Sequence, residues 1–417
     1  MSSEVIKKAK RKNLLAFMFG SLIIGFGDSC INIAYVPFMY EVTNYNLFLT
    51  GLMITIYQIM WFLPLPISGR LSDKFGRKNM MMFSPPISIF GVILLFFVNQ
   101  YTLYLLFISQ ILRPLGASSG IMNYQILTSE SNDDSNNGLG HIFGIIAFLY
   151  FFSTIGGSIY VNLMGFDYKI YFMIYLILYI IDWVKNIVFL TDTIHVKNNG
   201  NNSLEKKDWR EIFKNSKVQS AILFLTLDVF FWATSGDILK AGLQMQYRFS
   251  LETLAFFNIW FNVSVMILQI PAGKLTDKIG KKNTLILSEI FGLIIFILYI
   301  LLSFATQISE FFNIFIFPTM ITIQIIWGFV ASSFIPSESM ILSDLDESRK
   351  GVSYGMVSFV RGLGAMPTGI IGGFLMGSVH FTAPLIFTTI GIIILILYLL
   401  RYGDRFDELE NIESRHS

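Results

Sequence analysis

Several ionisable side chains lie inside otherwise apolar runs of this chain, where a charge is costly to hold. Asp28 sits in "IIGFGDSCINIAYVP" and Arg113 in "QILRPLGASSGI". Asp228, Asp237 and Lys240 share the run 219–245, and Arg361 opens "RGLGAMPTGIIGGFLMG". A charged side chain at mid-bilayer costs about 2.5–3.5 kcal/mol on insertion scales, so each is a candidate for function unless it can stretch to water. A carboxyl group in such a place suits one chemistry above others. Burial favours its protonated form and a nearby cation favours its ionised form, so a moving partner can load and unload a proton.

The elements that must position these groups are membrane-crossing helices. Hydrophobic residues make up 54% of the chain, charged residues 14%, and the mean hydropathy is +0.61, too apolar for a soluble globule. The net charge of +2 comes from basic residues in short scattered clusters, which excludes a nucleic-acid-binding face. One cysteine, Cys30, rules out an intrachain disulfide. About 20 mostly apolar residues cross the hydrocarbon core. The runs predict twelve spans at 14–39, 47–68, 80–99, 102–128, 139–164, 169–190, 219–245, 252–272, 284–305, 311–341, 351–377 and 382–400. They are apolar on every face, as helices and not barrel strands require. The first run is read as an uncleaved span, because it outlasts a signal peptide and has no small-residue cleavage site.

Lys and Arg set the expected orientation. With both termini inside, 24 of the 30 fall on the cytoplasmic side and only Lys169 and Arg248 lie in outer loops. The longest polar stretch, 191–218, sits halfway along the chain and predicts a linker between an N-terminal bundle (1–190) and a C-terminal bundle with a cytoplasmic tail (219–417). Its "LEKKDWREIFKN" has an amphipathic pattern suited to the membrane surface. The halves repeat one another. "QILRPLGASSGI" in the fourth run aligns with "QIIWGFVASSFI" in the tenth, and "GHIFGIIAF" in the fifth with "GVSYGMVSF" in the eleventh.

Two dense polar knots complete the repeat, "GRLSDKFGRKN" from Gly69 and "GKLTDKIGKKN" from Gly273. Both resemble the loop signature of the major facilitator superfamily, roughly G-x-L-x-D-[RK]-x-G-[RK]-[RK]. Gly69, Asp73, Gly76, Arg77 and Lys78 fit it, as do Gly273, Asp277, Gly280 and Lys281, and each knot lies where that family places it. The resemblance spans essentially the whole chain. It implies an all-α integral membrane fold of twelve helices in two pseudo-symmetric six-helix bundles that rock about a central site. It also implies a gating latch. Asp73 would meet the start of span eleven with Arg77 as its local ion partner, and Asp277 would meet the start of span five. The turn before span five, "SESNDDSNNG", has no Lys or Arg, a departure from the family that makes the two latches unequal.

Within that fold, spans one and four line the cavity of the N-terminal half. Asp28 lies about fourteen residues, or about 21 Å, from the inner end of its span, and Arg113 reaches similar depth from the outer end. They are expected to face one another as a proton-coupling pair, the rival being a static ion pair. "ILRPLGASSG" also loosely resembles the fourth-helix motif of proton-coupled members. Asp228 and Arg361 lie at matching depth on neighbouring spans and are expected to form an intramembrane ion pair. Asp228 and Asp237, about 900° of helix turn apart, cannot serve one site. Asp237 with Lys240, close to the outer end and read as a local surface pair, and Asp182 with Lys185 are each three residues apart. Glu289 and Glu338, nearer cytoplasmic ends, are expected to reach water. Asn32, Tyr57, Tyr124, Trp232 and Trp327 are candidates for the cavity wall, although packing explains each aromatic as well. No histidine sits mid-span, so neither metal nor cofactor is expected, and no constellation supports an enzyme.

The reading is a secondary transporter in the cell membrane that functions as a monomer. It moves a small molecule with protons, by preference as an exporter of drug-like or metabolite compounds. A lone acid serves either direction, so a proton symporter or uniporter importing a sugar, organic acid or other nutrient stays open. A non-transporting sensor on the same fold is the remote rival. The glycines and proline of span eleven resemble an antiporter signature that belongs in span five, where "TIGGSIY" lacks the proline.

Overall fold

A computed structural model describes residues 3–131, 139–165, 167–191, 216–343 and 350–407. Among these, every regular element is helical. Twelve segments are long and apolar enough to cross a membrane. They are Lys7–Val42, Leu47–Phe75, Arg77–Leu95, Leu103–Glu130, Gly144–Met164 and Tyr168–Phe189, then Val218–Tyr247, Leu251–Thr276, Lys278–Ile308, Glu310–Ile335, Tyr354–Val379 and Ala383–Tyr402. They are called spans one to twelve below. Nearly all of the expected linker, and the turn before span five, lie outside the described residues.

Two elements are continuous helix through the knots except at one glycine each. Gly76 (φ 94°, ψ 153°) separates spans two and three, and Gly280 (φ 84°, ψ 162°) interrupts the helix Leu251–Ile308. That backbone region is essentially glycine's alone, which is why both knots carry one at the same place. Successive traverses put both knots, the start of span one and the end of span twelve on one face of the bundle, here the knot face.

Spans seven and eleven are broken near mid-length. Span seven is helix over Ser216–Gly236 and Leu239–Tyr247. Span eleven is helix over Lys350–Ala365 and Thr368–Phe374, interrupted at Pro367, where a ring without an N–H cannot continue the ladder. The breaks lie side by side, and Thr368 Oγ1 donates to Asp237 Oδ2 at 3.0 Å.

The halves meet along two seams. Spans two and eleven touch over their whole length, and spans five and eight form the second contact. In the first seam a methyl group at Gly51 would overlap the carbonyl of Gly369, and one at Gly373 the carbonyl of Leu47, so backbone lies on backbone. Toward the far face one apolar core joins both halves, with Ala34 and Tyr171 of the first beside Ile238 and Leu254 of the second. Toward the knot face the core divides. Phe17, Leu127 and Leu190 cluster in the N-terminal half, and Phe224, Leu285 and Phe406 in the C-terminal half.

Candidate functional site: the cavity between the halves

A cavity of about 370 Å³ opens where four spans, two from each half, converge. Its N-terminal wall carries Asn32 and Tyr35 of span one with Tyr150 and Thr154 of span five. Facing them are Asp237 and Lys240 of span seven with Asn258 and Asn262 of span eight. Amides, hydroxyls and two charges thus dominate a site that an apolar protein would otherwise fill with leucine.

Glycine sets the first wall. A methyl at Gly25 would press on the carbonyl of Tyr150, and one at Gly157 on that of Phe26, so spans one and five pack backbone to backbone beside the cavity. That approach brings Asp28 to Tyr150, whose hydroxyl donates to Asp28 Oδ2 at 3.0 Å. Tyr150 lines the cavity, so the carboxylate sits one hydrogen bond behind the wall. Just beyond, Ser29 and Ser158 hydroxyls lie 2.8 Å apart. Asn258 and Asn262 of the other half donate to Ser158 at 2.9 and 3.1 Å.

Arg113 lies deeper. Its guanidinium stacks over the Tyr35 ring at 3.8 Å and lies 5.1 Å from the centre of the Tyr57 ring, and Nη1 is buried without a hydrogen-bond partner. Among the described residues no ion pair joins it to Asp28. Tyr35 takes the face that a carboxylate would occupy in a direct pair, and an aromatic face is a good neighbour for a desolvated guanidinium.

The expectation of a local Asp237–Lys240 pair at the outer end is corrected. Because span seven breaks between Gly236 and Leu239, the two side chains leave in different directions. Asp237 accepts from Thr368 and, at 3.1 Å, from Gln58 Nε2 of the other half. Lys240 Nζ donates at 2.5 Å to the main-chain oxygen of Asn32. Both ends of the expected surface pair therefore cross the seam and line the cavity. The helix break was the signal available, and "TSGDILKAG" shows it only as Gly236.

A second correction concerns Asp228. Arg361 forms its ion pair with Glu338 of span ten, and Asp228 stays buried with its Oδ1 unpartnered. Glu289 is fully buried, so it does not reach water, and Glu338 is spent on Arg361. By contrast Asp182 and Lys185 do pair, at 2.7 Å, with Lys185 also donating to the Ala16 carbonyl of span one.

The aromatic candidates divide. Asn32 lines the cavity. Tyr57 stacks on Trp61 beside Arg113. Tyr124 packs edge-on against Phe17 in the knot-face core, and Trp232 and Trp327 pack on each other and on Phe296. None of these last four touches the cavity, because their rings fill gaps within one half.

At the first knot Arg77, 3% exposed, is the hub. It pairs with Asp73 at 2.6 Å and Glu130 at 3.3 Å and donates to Ser72 Oγ at 2.6 Å. Ser72 in turn bonds Asn123. Glu130, unmarked in the sequence, ties the knot to the end of span four. Gly69 is buried, whereas Gly273 has open space where a side chain would begin. Lys78 is half-buried and Lys281 buried. The side chains at the start of span eleven that Asp73 is expected to meet, and that of Asp277, lie outside the described residues. Nearby, Tyr354 of span eleven bonds Gln125 of span four across the seam.

The sequence profile of the Major Facilitator Superfamily matches residues 17–317. The chain belongs to this superfamily. Its curated relatives include the class H tetracycline resistance protein of Pasteurella multocida, 24% identical over 262 residues, which are 57% of this chain and 60% of the relative. The bacillibactin exporter of Bacillus subtilis (strain 168) is 34% identical over 71 residues, 17% of each chain. The chain thus matches less than two thirds of either relative's length. Among solved structures, a mutant form of the nucleoside transporter NupG superposes with a TM-score of 0.72 at 13% identity, and the human organic anion transporter MFSD10 (TETRAN) with 0.67 at 11%. Each covers 94% of this chain and 99% of the other. Superfamily membership, the twelve candidate spans and these superpositions together give a multi-pass membrane protein on the twelve-helix fold of the Major Facilitator Superfamily.

Proposed function

We infer that this transporter exports small polar or amphipathic compounds, drug-like or metabolite, in exchange for protons, with Asp28 as the proton-carrying group. One observation carries the reading. The only carboxyl group of span one's core is held by Tyr150, which lines the cavity between the halves, so it lies one hydrogen bond behind whatever enters. Arg113, stacked on Tyr35 of the same wall, is the nearby positive charge that favours the ionised form when the cavity changes shape. Export is supported by two relatives whose names denote resistance and export. The knots gate the cycle, the network of Asp73, Arg77 and Glu130 stabilising the outward-open state. The excess of Lys and Arg supports a knot face turned to the cytoplasm of a cell membrane, with both termini there, bundles at 1–190 and 219–417 joined by a linker at 191–218, and a monomer as the working unit.

The test uses inverted vesicles made acid inside, a pH-sensitive dye, and additions of tetracycline, bacillibactin and organic cations. Compound-dependent collapse of the gradient is expected, lost in Asp28→Asn while substrate binding persists. Collapse that survives Asp28→Asn would remove Asp28 from coupling, and no collapse with any compound would overturn proton-coupled export of these classes.

A further inference from the structure

The cavity between the halves is lined by two charged side chains of opposite sign that do not neutralise each other. Among the described residues no ion pair includes either Asp237 or Lys240. Each is held by neutral groups of other spans. Asp237 Oδ2 accepts two hydrogen bonds, from Gln58 Nε2 at 3.1 Å and Thr368 Oγ1 at 3.0 Å. Lys240 Nζ has one acceptor among the described residues, the main-chain oxygen of Asn32 at 2.5 Å.

An ammonium group carries three N–H donors. Asn32 lies inside the helix Ser3–Val42, so its carbonyl oxygen also serves the helical ladder, and Lys240 shares a neutral acceptor that already has a donor. Its remaining donors are left for whatever enters the cavity that it lines. The carboxylates nearby are committed elsewhere, Asp237 to Gln58 and Thr368, and Asp28 to Tyr150. Arg113, the other cation of this region, stacks on Tyr35 and does not line the cavity. A half-buried cation with no counter-charge is costly to hold, and an incoming anion recovers that cost.

We propose that Lys240 binds an anionic group of the transported compound, a carboxylate or another oxyanion, while the apolar body of the molecule lies against Phe151 and Phe261 of the same wall. This rests on the reading of the cavity as the transport site and is independent of proton coupling. Binding exchanges the Asn32 carbonyl for a charged acceptor, which makes the stronger hydrogen bond. Because Asn32 belongs to span one and Lys240 to span seven, the same exchange releases a bond across the seam between the halves.

The test is equilibrium binding to the purified full chain in lipid nanodiscs at neutral pH with no gradient, so that recognition is read apart from proton coupling. The probes are ring-matched sets: 2-naphthoate, 2-naphthamide and 2-naphthylmethylammonium, and the same three groups on a biphenyl ring. The carboxylates are expected to bind about ten-fold more tightly than the amides, the worth of one hydrogen bond to a charged group, and the ammonium compounds most weakly. Lys240→Met keeps much of the stem and should erase the preference, whereas Lys240→Arg keeps the charge and should retain it. Asp237→Asn removes the opposite charge from the wall and should not weaken carboxylate binding. The ranking in the unaltered protein decides the matter even if Lys240→Met fails to fold. Carboxylates that bind no more tightly than their amides, no binding by any carboxylate, or a preference that persists in Lys240→Met would overturn the proposal. Gradient collapse in the vesicle assay alongside equal binding of all three groups would remove this proposal alone, and charge-selective binding without gradient collapse would remove only the proton coupling.

Discussion

The two halves repeat one another in helix number and knot sequence, yet they balance charge differently. In the body of the spans the N-terminal half sets Asp28 and Asp182 against Arg113 and Lys185. The C-terminal half sets Asp228, Asp237, Glu289 and Glu338 against Lys240 and Arg361. Repetition of the backbone therefore did not carry over to the ionisable groups. In the first half charges are neutralised one for one, Lys185 by contact and Arg113 at a distance through aromatic rings. In the second, hydrogen bonds supplement the side-chain cations, since Asp237 accepts from Gln58 and Thr368 and Glu289 from Trp232. A surplus of one sign in a low-dielectric interior is tolerated only where other groups take up the difference.

Breaking the comparison starts with its two arginines. Arg361→Met leaves Glu338 without its guanidinium and should cost about 3 kcal/mol, the low end of the penalty for orphaning a buried pair, since the two side chains keep 25% and 14% exposure. Arg113→Met loses mainly ring stacking, on the order of 2 kcal/mol. Thermal unfolding of the purified variants measures both, and equal losses would mean that the halves do not differ in this way. A smaller effect tests where the halves agree. Gly76→Ala and Gly280→Ala force a side chain into the same positive-φ conformation and should each cost about 1–3 kcal/mol. If one knot proves indifferent, the backbone repeat is less faithful than its dihedrals suggest. Gly273→Ala sharpens the contrast, because open space surrounds that position and helix propensity alone predicts a gain of up to about 1 kcal/mol. The smallest change is expected from Lys282→Ala. Its partner Asp404 is 75% exposed, so the 2.7 Å pair contributes about 0.2–1 kcal/mol, fading as salt is added.

Span number, the twofold repeat and both knots were legible because hydrophobic run length and glycine chemistry are local properties of a sequence. What a sequence lacks is azimuth, the direction in which each helix turns a given side chain. Asp228 and Arg361 match in residue count along their spans, but Glu338 approaches from span ten and takes Arg361 instead. Asp237 and Lys240 satisfy the spacing rule for a helical pair, and the rule fails because the helix stops between Gly236 and Leu239. Asp28 stood out for a simpler reason: nothing else charged shares its helix core, so no neighbour could be mistaken for its function. Tyr150, its hydrogen-bond partner, carried no sequence signal at all.

The glycine seam between spans two and eleven has a mechanical consequence. Surfaces that interlock through bulky side chains resist sliding, because each knob must climb out of its hole before it can enter the next. Gly51, Gly369 and Gly373 remove the knobs, and main chain runs against main chain over that stretch. The joint works as a plain bearing with a smooth track, along which one half can pivot on the other with little friction and without drifting apart. A single larger side chain set into that track would act as a detent, stalling the motion at one angle while leaving each bundle intact.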